Sequence, residues 1–216
     1  MNHKKYYLAY GSNLNIAQMK HRCPDAKPVG TAIIQDYTLL FKGSKTGAYL
    51  TIEPQKGAYV PVGVWEVTAD DESKLDLYEG YPTFYYKKEI RLPVEFFDGG
   101  GTAEKTAFVY IMHEERLLGI PTGYYVRVCA TGYHNFGFDV KLLEKAYQKS
   151  MKNERIERTC PICGKIYTGV PATSRTDNAT LICPDCGTRQ ALESLGISRE
   201  EQDKILGIIH DKYIPE

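Results

Sequence analysis

The sequence predicts an α+β body followed by a small cysteine-bearing appendage. Three observations carry that prediction. Between Tyr6 and about Thr131 the chain is dense in β-branched and aromatic runs, the composition that suits half-buried strands. One cleanly capped helix interrupts those runs. Two near-identical Cys-Pro-x-Cys-Gly segments are confined to the last third of the chain.

In chain order, Tyr6 to Ala9 form an apolar run that reads as a buried strand. It breaks at Tyr10-Gly11-Ser12-Asn13, a small polar turn whose N–H groups can face an anionic or carbonyl oxygen. Val62 to Val67, Tyr85 to Phe97 and Ala107 to Met112 are further strands, separated by the turn signals Pro54 to Gly57 and Asp98-Gly99-Gly100-Gly101. The helix among them has Thr68 as its N-cap, Asp71 at the third position, Leu75 and Tyr78 as an inward stripe, and Gly80 as its stop. A second helix is expected from about Val140 to Met151, with Leu142, Leu143 and Ala146 inward. Asn153 to Arg158 then reads as a hinge or frayed helix end, placing the division at 1–152 and 153–216. A last helix is opened by Ser198 and Glu201 as a capping box.

Composition excludes several functions. The 27 Lys+Arg residues balance 27 Asp+Glu, which argues against a dedicated nucleic-acid binder. The amino terminus shows no signal-peptide pattern, and no apolar run is long enough to span a bilayer. Cys23 and Cys129 stand alone and suit small apolar core positions. The remaining four cysteines are paired as metal ligands are, in a reducing compartment, so a cytoplasmic protein is expected.

Cys160, Cys163, Cys183 and Cys186 have the spacing of a closed tetrahedral site of the structural type. Zinc in a zinc ribbon is the expectation; iron and redox dithiols are the alternatives. Nucleic-acid contact through Lys165, Arg175 and Arg189 competes with a purely structural or protein-contact role. Five basic residues between Asn153 and Glu193 face five acidic ones. Zinc on four thiolates would add about two negative charges, which favours the structural reading. The helix bearing Ile205, Leu206, Ile208 and Ile209 could pack on the ribbon or meet a partner.

The body contains no convincing nucleophilic triad. It also lacks a phosphate loop, since Gly11-Ser12-Asn13 has neither the lysine nor the second glycine. The pattern Leu8-Ala9-Tyr10-Gly11-Ser12-Asn13-Leu14 closing a strand, with Tyr78-Glu79-Gly80 after a capped helix, resembles the γ-glutamylcyclotransferase family. The similarity covers roughly Tyr6 to Gln148 and leaves out the ribbon. It implies a compact mixed β-barrel with flanking helices and release of 5-oxoproline from a γ-glutamyl amino acid or amine. It further implies no cofactor for catalysis, Glu79 as general acid/base, and Tyr7, Leu8, Ala9, Tyr10, Gly11, Ser12 and Asn13 as the substrate-binding stretch. A tyrosine before a late strand matches Tyr124 better than Tyr125. Burial against Tyr78, Tyr81, Phe84 and Tyr85 and the negative end of the helix dipole would both raise the Glu79 pKa. The departing amine stays open, its recognition falling to loops such as Lys42 to Gly47 and His113 to Thr122. The competing reading is a non-catalytic ligand-binding or protein-interaction module docked through its ribbon.

Overall fold

The computed structural model describes residues 4–44, 47–154 and 156–213. The chain separates into two compact units, Met1–Met151 and Lys152–Glu216. In the first, β1 (Lys5–Ala9) leads through a 3-10 turn (Ser12–Leu14) into α1 (Ile16–Arg22). There follow β2 (Lys27–Ser44), β3 (Gly47–Val67), α2 (Ala69–Glu79), β4 (Tyr85–Phe96), β5 (Thr102–Met112), α3 (Gly123–Asn135) and α4 (Lys141–Glu154).

The five strands close into a barrel in the order β1-β3-β2-β4-β5. Neighbours pair antiparallel except β1 and β5, which close the ring in parallel at Tyr6↔Ala107 and Tyr7↔Phe108. That closure removes sheet edges. It also brings the end of β1 beside the strand that ends at Met112. Trp65, Tyr110, Phe41, Leu8 and Val109 are among the buried core residues on the two faces of the barrel wall.

Pro54 to Gly57 is not a turn between strands. Pairing between β2 and β3 breaks beyond Gln35↔Tyr59 and resumes at Tyr37↔Pro54. The irregularity is held by the Gly57 N–H donating to Asp36 Oδ1 at 2.7 Å. Asp36 and Gly57 both take positive φ, 59° and 77°. Proline lacks the N–H a central ladder needs, so it sits where the ladder is interrupted. Of Lys42 to Gly47, expected as a loop, Lys42 to Ser44 end β2 and Gly47 begins β3; Lys45 and Thr46 lie outside the described residues, as does Met1 to His3.

α2 forms where Thr68, Asp71 and Gly80 predict it. The capping box is reciprocal, and Gly80 ends the helix in the left-handed region at φ 64°. Leu75 is buried as expected, but Tyr78 is 49% exposed and does not join the inward stripe. α4 buries Leu143 and Ala146, with Leu142 half-buried; it runs to Glu154, and Arg155 lies outside the described residues.

The strand-rich reading overextends at its far end, because Gly123–Asn135 is a helix. Thr122 caps it, its Oγ1 accepting from the Tyr125 N–H at 3.2 Å. Val126, Val128 and two tyrosines favour strand. The cap and a buried face of Cys129, Gly132 and Tyr133 override them. Gly132 lies against the Ser12–Leu14 turn: a Cβ there would come within 2.6 Å of Leu14 Cβ and 2.7 Å of the Asn15 nitrogen. Only glycine permits that approach.

The second unit holds two two-stranded sheets, β6 (Arg158–Thr159) with β7 (Ile166–Tyr167) and β8 (Ala172–Thr173) with β9 (Leu181–Ile182). α5 (Pro184–Glu193) and α6 (Arg199–Tyr213) complete it. Ser198 Oγ accepts from the Glu201 N–H at 3.4 Å at the start of α6, as expected. Leu206 is buried while Ile208 is 56% exposed. Among the described residues no helix is long and apolar enough to cross a membrane.

Candidate active site

The turn after β1 and the end of α2 meet. The 3-10 turn is closed by the Leu14 N–H to Gly11 O, 3.0 Å, and the Asn15 N–H to Ser12 O, 3.1 Å. The first N–H groups of such a turn have no acceptor within it. Asn13, 3% exposed, donates from Nδ2 both to Tyr7 Oη and to Glu79 Oε1, each at 2.8 Å. Arg22 Nη1 donates to Asn13 Oδ1 at 2.5 Å, which assigns the amide's orientation. The guanidinium also lies 3.9 Å from the centre of the Tyr78 ring and donates to Gln18 Oε1 at 2.6 Å.

Glu79 is the last residue of α2 and half-buried. Burial of its carboxyl pushes the pKa up to about 7, with the Arg22 charge and the Asn13 hydrogen bond pulling it back. Burial also pushes the Tyr7, Tyr10, Tyr85 and Tyr125 phenols well above their ordinary value, so they stay neutral. Tyr10 Oη donates to Tyr110 O at 2.6 Å and Tyr85 Oη to Leu50 O at 2.7 Å, which fixes two of these rings by backbone carbonyls.

Tyr7, Tyr10, Gly11, Ser12, Asn13 and Glu79 line an inner chamber of about 30 Å³, completed by Leu50, Tyr85, Tyr110 and Tyr125. Ser12, Glu79, Tyr85 and Tyr125 also line a cleft of about 580 Å³, which therefore adjoins the chamber. Two of the residues expected in the substrate stretch are elsewhere: Leu8 and Ala9 are buried core positions of β1 and line neither space. Tyr124 is 66% exposed and lines neither, whereas Tyr125 lines both, its Oη accepting from the Leu50 N–H at 3.2 Å. Successive residues on a helix point about 100° apart, so α3 can present only one of the pair. Tyr81 also turns away, 43% exposed beneath Lys87 Nζ. Arg22 and Arg116 also stand here, and neither belongs to a local sequence motif that marks it.

In the second unit the four cysteines come together, their sulfurs all within 4.8 Å of one another. A tetrahedral tetrathiolate centre with metal–sulfur bonds of about 2.3 Å has edges of about 3.8 Å, and Cys163 Sγ lies 3.8 Å from Cys183 Sγ. The Cys183 N–H donates to Cys160 Sγ and the Cys186 N–H to Cys183 Sγ, each at 3.4 Å. Against burial, N–H donors from Cys183, Cys163 and Ile162 hold the Cys160 thiol below its ordinary value. The set can hold one metal ion and is compatible with a zinc ribbon.

A closed five-stranded barrel whose turn is hydrogen-bonded to a carboxyl with raised pKa is an arrangement suited to acyl transfer. A family model described as gamma-glutamyl cyclotransferase, AIG2-like, matches residues 7–127, more than half of the 216 residues. The chain belongs to that family. A solved structure named gamma-glutamyl cyclotransferase is 27% identical at TM-score 0.56, covering 67% of this chain and 86% of its own. An uncharacterized protein from Homo sapiens is also 27% identical, at TM-score 0.55 and coverages of 66% and 86%. A yeast gamma-glutamyl cyclotransferase specific to glutathione shares the fold at 12% identity and TM-score 0.51, with coverages of 70% and 97%. No curated protein sequence matches the chain.

Proposed function

We propose that the barrel releases 5-oxoproline from γ-glutamyl amino acids or amines. The substrate's own α-amine attacks its γ-carbonyl carbon, a five-membered lactam closes, and the amide bond to the departing amine breaks. Because nucleophile and electrophile belong to one molecule, the protein mainly holds the chain folded for attack. No protein nucleophile or cofactor is required. Glu79 takes the proton that the α-ammonium gives up and delivers it to the departing amine. The turn of Gly11, Ser12 and Asn13 supplies donors for the carbonyl oxygen. Tyr125, rather than Tyr124, contacts the substrate.

One observation carries this reading: Glu79, at the junction of chamber and cleft, is held by Asn13 and has its pKa pushed up to about 7. A general base near the operating pH contributes about 10²–10⁴ in rate. Glu79→Gln keeps the Asn13 hydrogen bond and loses the proton acceptor. Turnover of a panel of γ-glutamyl compounds, followed by mass spectrometry of 5-oxoproline, is therefore expected to fall by about that factor with the fold intact. A fully active variant overturns the role of Glu79. If wild-type protein releases no 5-oxoproline from any member, a non-catalytic ligand-binding module replaces the enzyme.

For the second unit the occupant is a structural zinc held by Cys160, Cys163, Cys183 and Cys186, supplying folding energy to a unit with little core of its own. Paired thiolate ligands fit the reducing cytoplasm.

A further inference from the structure

On the cyclotransferase reading above, the departing amine lies in the 580 Å³ cleft, since the chamber that shares Ser12, Glu79, Tyr85 and Tyr125 with it has only about 30 Å³. The walls of that cleft have a definite chemistry. Tyr49, Leu77, Tyr78 and Phe84 make it aromatic and apolar, and Arg116 supplies a cation. Glu79 is the sole carboxylate among the described residues lining it.

Arg116 is held in place and left with capacity to bind. It sits on the turn after β5, its N–H donating to His113 O at 3.2 Å. The neighbouring Leu117 O accepts from the Gly43 N–H at 2.6 Å and Glu114 O from Lys42 Nζ at 2.7 Å, pinning the turn to the barrel. The Glu114 carboxylate, two residues before Arg116, is engaged elsewhere, accepting from Tyr86 Oη at 2.6 Å. The guanidinium lies 5.3 Å from the centre of the Phe84 ring. Its Nε is buried without a hydrogen-bond partner among the described residues. Among the described residues the Arg116 side chain makes no hydrogen bond or ion pair, and it lines the cleft, so its other N–H donors are left to take a carboxylate by charge-assisted hydrogen bonds. A cationic amine in the same cleft would be repelled.

We propose that Arg116 is a specificity residue that binds a carboxylate on the departing amine. The preferred substrates are then γ-glutamyl amino acids rather than γ-glutamyl alkylamines or polyamines. γ-Glutamylalanine and γ-glutamylethylamine differ only in that carboxylate, so they form a matched pair. Wild-type kcat/KM is expected to favour γ-glutamylalanine by at least about tenfold, the scale of a charge-assisted hydrogen bond. In Arg116→Met, kcat/KM for γ-glutamylalanine falls about 10- to 100-fold, chiefly through KM. The ethylamine compound is affected far less, so the ratio approaches one, and Arg116→Lys recovers part of it. Equal use of the two by wild-type protein overturns the proposal, as does a loss in Arg116→Met that strikes both alike, the mark of a merely structural residue. Should Arg116→Met not fold, the wild-type ranking of γ-glutamylalanine above γ-glutamylputrescine decides. Turnover without carboxylate preference sinks this proposal alone; no 5-oxoproline from any γ-glutamyl compound sinks the cyclotransferase reading with it.

Discussion

Asn13 donates to Glu79 across 66 residues of sequence, while Arg22 holds the other end of the same amide. Burial of the carboxyl outweighs both of these groups and pushes its pKa up to about 7. Below that pH it keeps its proton and cannot accept another, so kcat/KM for 5-oxoproline release is expected to rise as pH passes about 7; a profile flat from pH 5 to 8 would contradict this. The same shift bears on stability. Between the ordinary value of 4.5 and about 7 the folded chain binds more protons than the unfolded one. The contribution from Glu79 is thus fully present at low pH and lost as pH rises through about 7. Glu79→Gln, neutral at every pH, should accordingly be more stable than wild type at pH 8 by about 1–3 kcal/mol, less than the full shift implies because the side chain is only half-buried. The gap should vanish near pH 4.5. Thermal unfolding at the two pH values measures it, and a variant less stable at pH 8 contradicts it. The identity of this acid was legible from Tyr78-Glu79-Gly80 and the resemblance it carries. Its surroundings were not, because Asn13 and the Arg22 charge are brought to it only once the chain has closed.

At the scale of elements, the site depends on how closely α3 approaches the turn after β1. Gly132→Ala places a methyl within 2.6 Å of Leu14 Cβ, where backbone rather than a flexible side-chain end must also give way. A loss of about 1–3 kcal/mol is expected from that overpacking. Turnover should fall at least about tenfold even where the variant is fully folded, since displacing the turn misplaces Asn13 and its neighbours. Urea unfolding and kinetics at one temperature separate the two effects; stability lost without activity would show that the turn moves independently of α3. α2 could be read from sequence because its signals are local: a cap, a third-position carboxylate and a stopping glycine. α3 could not, because its residues favour strand by composition. Its helical state is decided by the Thr122 cap together with the face that Cys129, Gly132 and Tyr133 bury.

Across the whole molecule, the two units carry separate chemistry. Metal analysis is expected to find one zinc per chain. Chelation should abolish hydrogen-exchange protection in the second unit, as metal binding supplies its folding energy, while 5-oxoproline release by the barrel stays within about twofold. Loss of turnover on chelation would instead tie the metal to the active site. What the sequence by itself determined is the α+β class and the cysteine quartet, and it marked the turn and Glu79 as the candidates for the site. Each rests on residue types within a few positions of one another, where spacing alone constrains geometry. Only the tertiary structure decided that Tyr125 and not Tyr124 faces the chamber, that Leu8 and Ala9 belong to the core, and that Arg22 and Arg116 stand at the site. Those outcomes depend on the β1–β5 closure and on which face of each helix is buried, contacts between segments that no local pattern specifies.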